Sequence, residues 1–178
     1  MMSDRHFQGN GIRLRAPEPE DLEVMFRFEN ATDVWEISNT TGPYSRFQLK
    51  QYIEQAQNDL FADRQLRLMI ENGNRQVVGI VDLCSFDPLH NRAEVGIMVD
   101  KSCRRRGIGR NALALLEEHC FRYLGIHQLF AYIAVENLPS RRLFAACGYK
   151  ESAVLKEWAH TFGGGYTDVL VVQKLNLS

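Results

Sequence analysis

The stretch that most constrains this chain is residues 99–110, which read V-D-K-S-C-R-R-R-G-I-G-R. A β-branched run precedes it and a long helical pattern follows it, and five of residues 101–110 are basic while none is acidic. Gly107 and Gly109 allow a tight turn and a close approach of the backbone to a ligand. The first amides of a helix have no intrahelical partner and lie at the positive end of its dipole. A strand, a basic glycine turn and a helix in this order therefore predict a pyrophosphate-binding site.

Two familiar phosphate loops fit this stretch poorly. The P-loop pattern, in which Gly-Lys-Ser/Thr ends the loop, is absent from it. Residues 107–112 match the dinucleotide pattern G-x-G-x-x-A, but seven residues separate Val99 from Gly107 and residues 128–134 contain no acid for a ribose. The match that fits is Arg-x-x-Gly-x-Gly at residues 104–109. A basic surface turn that caps a helix remains the alternative at this point.

Composition limits the class of protein. A length of 178 residues predicts one domain, residues 1–178, with 45% hydrophobic and 24% charged residues, as in ordinary globular proteins. The net charge of -1 does not suggest a nucleic-acid partner. The four cysteines are far apart, so neither a metal site nor a disulfide framework is expected. The start of the chain has no apolar signal core and no run is long enough for a membrane helix, which predicts a cytoplasmic protein with no membrane partner.

Local patterns predict seven strands and four helices. Pro19 opens the first helix and Ser45 caps the second, and Gly125 ends the helix that follows the glycine turn. The predicted strands are 11–16, 65–71, 76–86, 92–99, 128–135, 149–159 and 166–175. Of the four predicted helices, the first starts at residue 19 and the second spans 45–59. The third runs from the glycine turn to about residue 124, and the fourth spans 140–147.

A second motif supports the first. Residues 135–149 read V-E-N-L-P-S-R-R-L-F-A-A-C-G-Y. Together with Arg-x-x-Gly-x-Gly and the order of elements, this segment resembles the GNAT superfamily of N-acetyltransferases over almost the whole chain. The resemblance implies a single α/β (α+β) domain with a mixed, mostly antiparallel sheet of about seven strands and four helices, splayed at its central parallel strands.

The resemblance also implies acetyl-CoA as the co-substrate. Backbone amides of residues 104–109 would hold its pyrophosphate, and the arginines would add charge-assisted contacts. Met98 and Val99 would pair with the pantetheine arm, and Asn137 and Ser140 would contact the arm or the thioester, although Ser140 could equally be an N-cap. The expected cofactor-binding residues are Met98, Val99, Arg104, Arg105, Arg106, Gly107, Ile108, Gly109, Arg110, Asn137, Ser140 and Phe144.

Two short segments narrow the branch of the superfamily. Residues 90–96 and 165–168 resemble spermidine or diamine acetyltransferases and also the N-terminal acetyltransferases of ribosomal proteins. Residues 17–36 hold seven acids and one base, which favours a polyamine acceptor because clustered carboxylates attract cations, unless these acids form a solvated helix face. The expected acceptor-binding residues are Glu29, Asp33, Glu36, Asp82 and His90. Related enzymes assemble as dimers or larger rings, so a homo-oligomer is expected.

Acetyl transfer to an amine requires a base, because an alkylammonium with a pKa near 10 cannot attack while charged. Glu94 is the first candidate, directly or through a water, since strand parity places it with Gly96 and Met98, opposite the apolar row of residues 95, 97 and 99. An outward salt-bridging role is its alternative. His90, Asp82 and Glu29 are further candidates for the base. A backbone amide near Val99 is expected to polarise the thioester carbonyl.

The sequence departs from the family at one position. Many GNAT enzymes have a tyrosine in the second motif as the acid, and Phe144 stands in its place without a proton to give. Three alternatives follow: Ser140 or Tyr149 acts as the acid, coenzyme A leaves as the thiolate, or the protein is an acyl-CoA-binding module with little turnover. The predicted catalytic residues are therefore Glu94, Ser140 and Tyr149.

Overall fold

The computed structural model describes residues 6–31, 41–161 and 163–177. Its described part forms one eight-stranded sheet flanked by helices on both faces. The strands are β1 Gln8–Gly9, β2 Ile12–Arg15, β3 Leu66–Asn72, β4 Val77–Asp87, β5 Arg92–Val99, β6 Gln128–Ala134, β7 Lys150–His160 and β8 Tyr166–Leu175. The α-helices are α1 Leu22–Glu29, α2 Arg46–Gln55, α3 Leu60–Asp63, α4 Ile108–Glu118 and α5 Leu138–Ala146.

The sheet is mixed, with the order β1-β2-β3-β4-β5-β6-β8-β7. All neighbouring pairs are antiparallel except β5 and β6. The mixed, mostly antiparallel sheet with parallel central strands is thus confirmed. The eighth strand is the two-residue β1, which was not predicted because two residues carry no periodicity.

Two hydrophobic cores lie on opposite faces of the sheet. α4 and α5 cover one face, where Leu113, Leu116 and Phe144 pack against Val95 and Leu129. α1 and α2 cover the other face, and their smaller core contains Met25, Phe28, Leu49, Met69 and Ile80. Because side chains alternate along a strand, β3, β4 and β5 contribute to both cores, whereas the described residues of β6 and β8 contribute only to the core beneath α4 and α5.

The helix boundaries follow their capping residues. Ser45 caps α2 as predicted, since its side chain accepts a hydrogen bond from the amide of Gln48. The prediction of Ser140 as a cap is wrong: the amide of Ser140 donates to Asn137 Oδ1 at 3.2 Å, so α5 begins two residues earlier. A Pro19–Asp21 3-10 turn precedes α1. The second helix was predicted over 45–59 but ends at Gln55, and the short helix α3 that follows it was not predicted.

α4 ends in an irregular turn. A π-helical turn, His119–Tyr123, continues it, and Gly125 follows with φ of 64°. The predicted end near residue 124 is correct, whereas the π-turn leaves no local sequence signal. Among the described residues, no helix is long and apolar enough to cross a membrane.

Candidate active site

The two parallel strands at the centre of the sheet separate along their length. β5 and β6 pair only at Arg92–Glu94 with Gln128–Phe130. Beyond these pairs β5 continues to Val99 and β6 to Ala134 without pairing to each other in the described structure. The predicted splay is confirmed, and it forms a V-shaped cleft that is closed at Glu94 and open at Val99.

The edge of β5 offers backbone hydrogen bonds to this cleft. The amide of Asp100 donates to Val78 O at 2.8 Å, on the β4 side. Because backbone groups alternate along an antiparallel ladder, the amides and carbonyls of Ile97 and Val99 face the cleft instead. Val99 therefore has the placement predicted for a residue that pairs with the pantetheine arm. The backbone groups of Met98 face β4, which corrects the prediction for Met98 and leaves Ile97 in its place.

The glycine turn lies at the open end of the cleft. Gly107 is the N-cap of α4 with φ of 78°, and Asn111 makes the first helical bond, to Gly107 O at 3.0 Å. The amides of Ile108, Gly109 and Arg110 precede that bond and have no helical partner. A Cβ on Gly109 would lie 3.2 Å from Leu143 Cδ2, so glycine there allows α4 and α5 to pack closely.

Four arginines surround the turn, and they divide into two groups. Arg104 Nε donates to Val99 O at 2.9 Å, so this side chain braces the turn against the end of β5. Arg104 was predicted to contact the cofactor, and this hydrogen bond gives it a structural role as well. Arg105, Arg106 and Arg110 are exposed at the start of α4, where they remain the predicted phosphate contacts.

Glu94 lies at the closed end of the cleft. It pairs with Cys84 across β4 and with Phe130 across β6, and its Oε2 accepts a hydrogen bond from Ser85 Oγ at 3.2 Å. Burial and the neighbouring Glu94 raise the pKa of the Cys84 thiol to about 12, which keeps that thiol protonated. The predicted parity is confirmed, because Val95 lies in the core beneath α4 while Glu94 is on the other face.

A cavity of about 430 Å³ lies next to Glu94, between α1, α2 and the sheet. Strand register connects the two, since Asp82 and Cys84 line the cavity and pair with Gly96 and Glu94. The lining residues are Glu29, Tyr44, Gln48, Leu49, Tyr52, Gln65, Leu66, Arg67, Asp82, Leu83 and Cys84.

Arg67 joins the two predicted acceptor acids of this cavity. Its Nη1 lies 2.5 Å from Glu29 Oε1 and its Nη2 lies 2.8 Å from Asp82 Oδ2, while the Tyr52 ring centroid is 5.4 Å from its Cζ. Glu29 and Asp82 were predicted to bind a cationic acceptor. This prediction is corrected, because both carboxylates already form ion pairs with Arg67. Sequence reasoning missed Arg67, although a single base between the apolar residues of a strand is an unusual pattern.

His90, another predicted acceptor residue, does not line the cavity. His90 lies exposed in the turn between β4 and β5, where its amide donates to Asp87 Oδ1 at 3.0 Å. That turn is beyond the closed end of the cleft, so His90 lies outside this cavity, and its role in acceptor binding stays a prediction. Asp33 and Glu36 lie outside the described residues.

The second motif places its residues on different sides of α5. Asn137 and Ser140 are half-buried in its first turn. Phe144 is 2% exposed, and its ring packs edge-on against Tyr149 with centroids 4.9 Å apart. The prediction that Phe144 contacts the cofactor is corrected, because the ring belongs to the core.

Tyr149 is also a core residue and does not reach the cleft. Its side chain packs near Lys174, whose Nζ lies 5.8 Å from the ring and donates to Glu117 Oε2 at 2.6 Å. Burial and the neighbouring Glu117 raise the pKa of Tyr149 far above its usual value. Tyr149 is therefore ruled out as the acid, which leaves Ser140 from the predicted pair.

A splayed pair of parallel strands beside a glycine turn is the architecture of enzymes that take an acyl group from a coenzyme A thioester. The chain belongs to the GNAT acetyltransferase family, since residues 12–150 match the model of the acetyltransferase (GNAT) domain. It is an acyltransferase that uses acetyl-CoA.

Individual relatives agree with this assignment. A spermidine N(1)-acetyltransferase of Vibrio cholerae is 26% identical over 159 residues, which is 89% of each chain. The structure of a spermidine N-acetyltransferase from the same organism, in complex with CoA and spermine, superposes with a TM-score of 0.84 at 23% identity and covers 94% of this chain and 97% of its own. A dodecameric structure of that enzyme has a TM-score of 0.78 at 24% identity, with coverage of 94% and 95%.

One structural neighbour has another acceptor in its name. A ribosomal-protein-S5-alanine acetyltransferase from Vibrio fischeri has a TM-score of 0.83 at 17% identity and covers 97% of both chains. At this identity the similarity establishes the fold alone.

Proposed function

We propose that the protein transfers the acetyl group of acetyl-CoA to a primary amine and that Glu94 is the general base. The observation that carries the proposal is the position of Glu94 between the closed end of the cleft and the cavity. An acyl donor in the cleft and an amine in the cavity would meet at this carboxylate.

The donor side of the reaction uses backbone groups. The pyrophosphate would bind the amides of residues 107–110 and the exposed arginines at the start of α4. The pantetheine arm would extend along β5 and pair with Ile97 and Val99. An amide at Val99 would then stabilise the oxyanion that forms on the thioester carbonyl.

The acceptor side requires the loss of one proton. Glu94 takes it from the ammonium, directly or through one water, and the neutral amine attacks the acetyl carbon. The new C–N bond forms as the C–S bond breaks, and coenzyme A leaves as the thiolate or takes a proton from Ser140. Ser140 is the candidate for this role because it is half-buried in the first turn of α5, whereas Tyr149 lies in the core.

A polyamine is the acceptor that we favour. The similarity to spermidine acetyltransferases of Vibrio cholerae supports it. The N-terminus of a ribosomal protein is the second candidate, supported by the structural similarity to the Vibrio fischeri enzyme.

The direct test is the release of the coenzyme A thiol from acetyl-CoA with spermidine, putrescine and an N-terminal peptide as acceptors. Release with a polyamine and not with the peptide is the expected result. Release with the peptide alone would move the protein to the second acceptor class. Tight binding of acetyl-CoA without release from any acceptor would leave a binding module with little turnover.

The role of Glu94 is tested by Glu94→Gln. Loss of the base is expected to lower kcat about 100-fold with little change in the KM for acetyl-CoA. Ser85→Ala is the matched control, since it removes only the hydrogen bond to Glu94 Oε2 and should change kcat less than about threefold. An unchanged kcat for Glu94→Gln would remove Glu94 from the mechanism.

We also propose that the protein assembles as a homo-oligomer, a dimer or larger. The dodecameric state of the Vibrio cholerae enzyme supports this. Light scattering coupled to size exclusion should give a mass that is a multiple of 20.5 kDa, and a monomer mass at all concentrations would contradict it.

A further inference from the structure

Two aromatic residues on β6 lie on the far side of Glu94 from the cavity. We propose that Phe130 and Tyr132 form an aromatic subsite that binds the alkylammonium part of the acceptor that is not acetylated. The inference rests on the proposed function, because it places the acceptor across Glu94. Neither residue belongs to the cavity or to the predicted cofactor site.

Strand register places this pair beside the proposed base. Phe130 is the bridge partner of Glu94 in the parallel ladder, so both side chains project from the same face of the sheet. Their neighbours Ala93 and Leu129 are fully buried on the opposite face, which confirms the alternation. Tyr132 follows Phe130 by two residues on the same row.

The two rings form one surface. Their centroids are 5.7 Å apart at an interplanar angle of 82°, an edge-to-face arrangement. Tyr132 is 47% exposed although it lies in a central strand, which is unusual for a large ring. Across β8 on this face, Val171 lies opposite Tyr132 and Gln173 lies opposite Phe130.

The helices leave this half of the face open. In the described part of the chain, the core beneath α1 and α2 reaches β3, β4 and Met98 of β5, and it includes no residue of β6 or β8. A ligand in the cavity can therefore extend over Glu94 onto the rings without meeting a helix of the described structure.

The ion pairs in the cavity explain why a second ammonium group of the acceptor would bind aromatic rings instead of the cavity carboxylates. Arg67 already pairs with Glu29 and Asp82, so the carboxylates of the cavity offer little to a second ammonium group. The faces of Phe and Tyr rings attract ammonium groups, and their carbon atoms pack against methylene chains. A diamine or polyamine could then keep one amine at Glu94 and place the next segment on Phe130 and Tyr132.

The test compares two amines of different length in three variants. Spermidine reaches the subsite, whereas propylamine ends near Glu94. Tyr132→Ala is expected to raise the KM for spermidine about fivefold and to leave the KM for propylamine and for acetyl-CoA within about twofold. Tyr132→Phe keeps the ring and should restore the KM for spermidine. Trp158→Ala removes another exposed ring, 62% exposed on β7, and serves as the matched control.

A binding measurement separates this inference from the proposed function. Calorimetric titration of spermidine into the CoA-loaded protein reads the subsite without turnover. Weaker binding by Tyr132→Ala supports the subsite even if no amine releases coenzyme A, a result that would refute only the proposed function. Equal spermidine affinity and KM in Tyr132→Ala and the parent protein would overturn the subsite. The subsite would also be overturned if Tyr132→Ala changed the oligomeric mass and left the affinity for spermidine unchanged. That result would mean that this face is an interface between copies of the chain.

Discussion

Ser140 and Tyr149 carry the two hydroxyl groups predicted to protonate the leaving thiolate, and their surroundings differ. Ser140 is half-buried in the first turn of α5, whereas Tyr149 is 4% exposed in the core, beside the carboxylate of Glu117. Replacing the Tyr149 hydroxyl by hydrogen removes one polar group from the core and should cost little stability. The difference in position leads to opposite expectations for the two substitutions.

We expect Ser140→Ala to lower kcat about tenfold, because the thiolate is a tolerable leaving group even without an acid. Tyr149→Phe should leave kcat within about twofold and should not lower the midpoint of thermal unfolding. Steady-state rates of thiol release and a thermal melt measure both. A large loss of kcat in Tyr149→Phe would show that the core hydroxyl participates after all.

Arg67 is the residue on which the charge of the cavity depends. Its side chain is 21% exposed and pairs with two carboxylates that are 16% and 27% exposed. Burial alone would lower the pKa of Arg67. The ion pairs with Asp82 and Glu29 outweigh burial and raise this pKa above its usual range. Removal of the arginine alone would leave two partly buried carboxylates close together.

Arg67→Met is therefore expected to lower the free energy of unfolding by about 2 kcal/mol, less than for a fully buried pair because water reaches these groups. Lys50→Met is the matched control, since the exposed pair of Lys50 and Glu54 at 3.7 Å should be worth less than about 0.5 kcal/mol. Urea denaturation measures both changes. Equal stabilities of the two variants would mean that the pairing of Arg67 contributes nothing net.

The element that defines the donor site is the turn between β5 and α4. Its two glycines have different reasons to be glycine. Gly107 has a left-handed backbone with φ of 78° and open space around it, whereas Gly109 allows contact between α4 and α5. The open space at Gly107 is on the side where the pyrophosphate is expected.

Gly107→Ala should strain the turn by about 1 kcal/mol. Because this strain displaces the amides proposed to bind the pyrophosphate, the KM for acetyl-CoA should rise up to about tenfold. Gly164→Ala in the β7–β8 hairpin is the control, because it has φ of 88° and the same open surroundings far from the turn. Gly164→Ala should lower the free energy of unfolding by a similar amount without changing the KM for acetyl-CoA. The same KM in both variants would show that the turn does not bind the coenzyme.

At the scale of the whole molecule, the start of the described chain is held against the far end of α4. His6 Nε2 lies 2.8 Å from His119 Nδ1, and Phe7 and Tyr123 pack around His119 at centroid distances of 4.5 and 5.2 Å. Burial first, and then His6, lower the pKa of His119 from about 6.5 to about 4. The folded protein therefore keeps His119 neutral at a pH where the unfolded chain protonates it.

Because the unfolded state binds more protons in this range, stability should be complete above pH 6.5 and should fall as the pH drops toward about 4. The loss from this group is expected to be about 1 kcal/mol after allowance for its partial exposure. His119→Gln should flatten the pH dependence of the urea midpoint, and His127→Gln, an exposed histidine, should not. Parallel pH profiles for His119→Gln and the parent protein would contradict the assignment.

The resemblance of two motifs to the GNAT superfamily implied the acyltransferase class, and the sequence by itself determined the order of elements and the position of the glycine turn. These follow from local rules: alternation predicts strands, capping residues predict helix ends, and glycine between a strand and a helix predicts a turn with free amides. Glu94 was placed correctly for the same reason, since parity along one strand decides which face it occupies. The extent of the chain as a single domain, residues 1–178, stays a prediction.

Only the tertiary structure decided the partners of the site residues. Arg67 and Glu29 are 38 positions apart, and nothing local in either segment predicts their ion pair. Likewise Phe130 reaches Glu94 only through the parallel pairing of β5 with β6, and Tyr149 turns toward Glu117 and the core because of how α5 and β8 pack. Local patterns set what each segment becomes, whereas contacts between distant segments decide which charges are neutralised and which rings remain exposed.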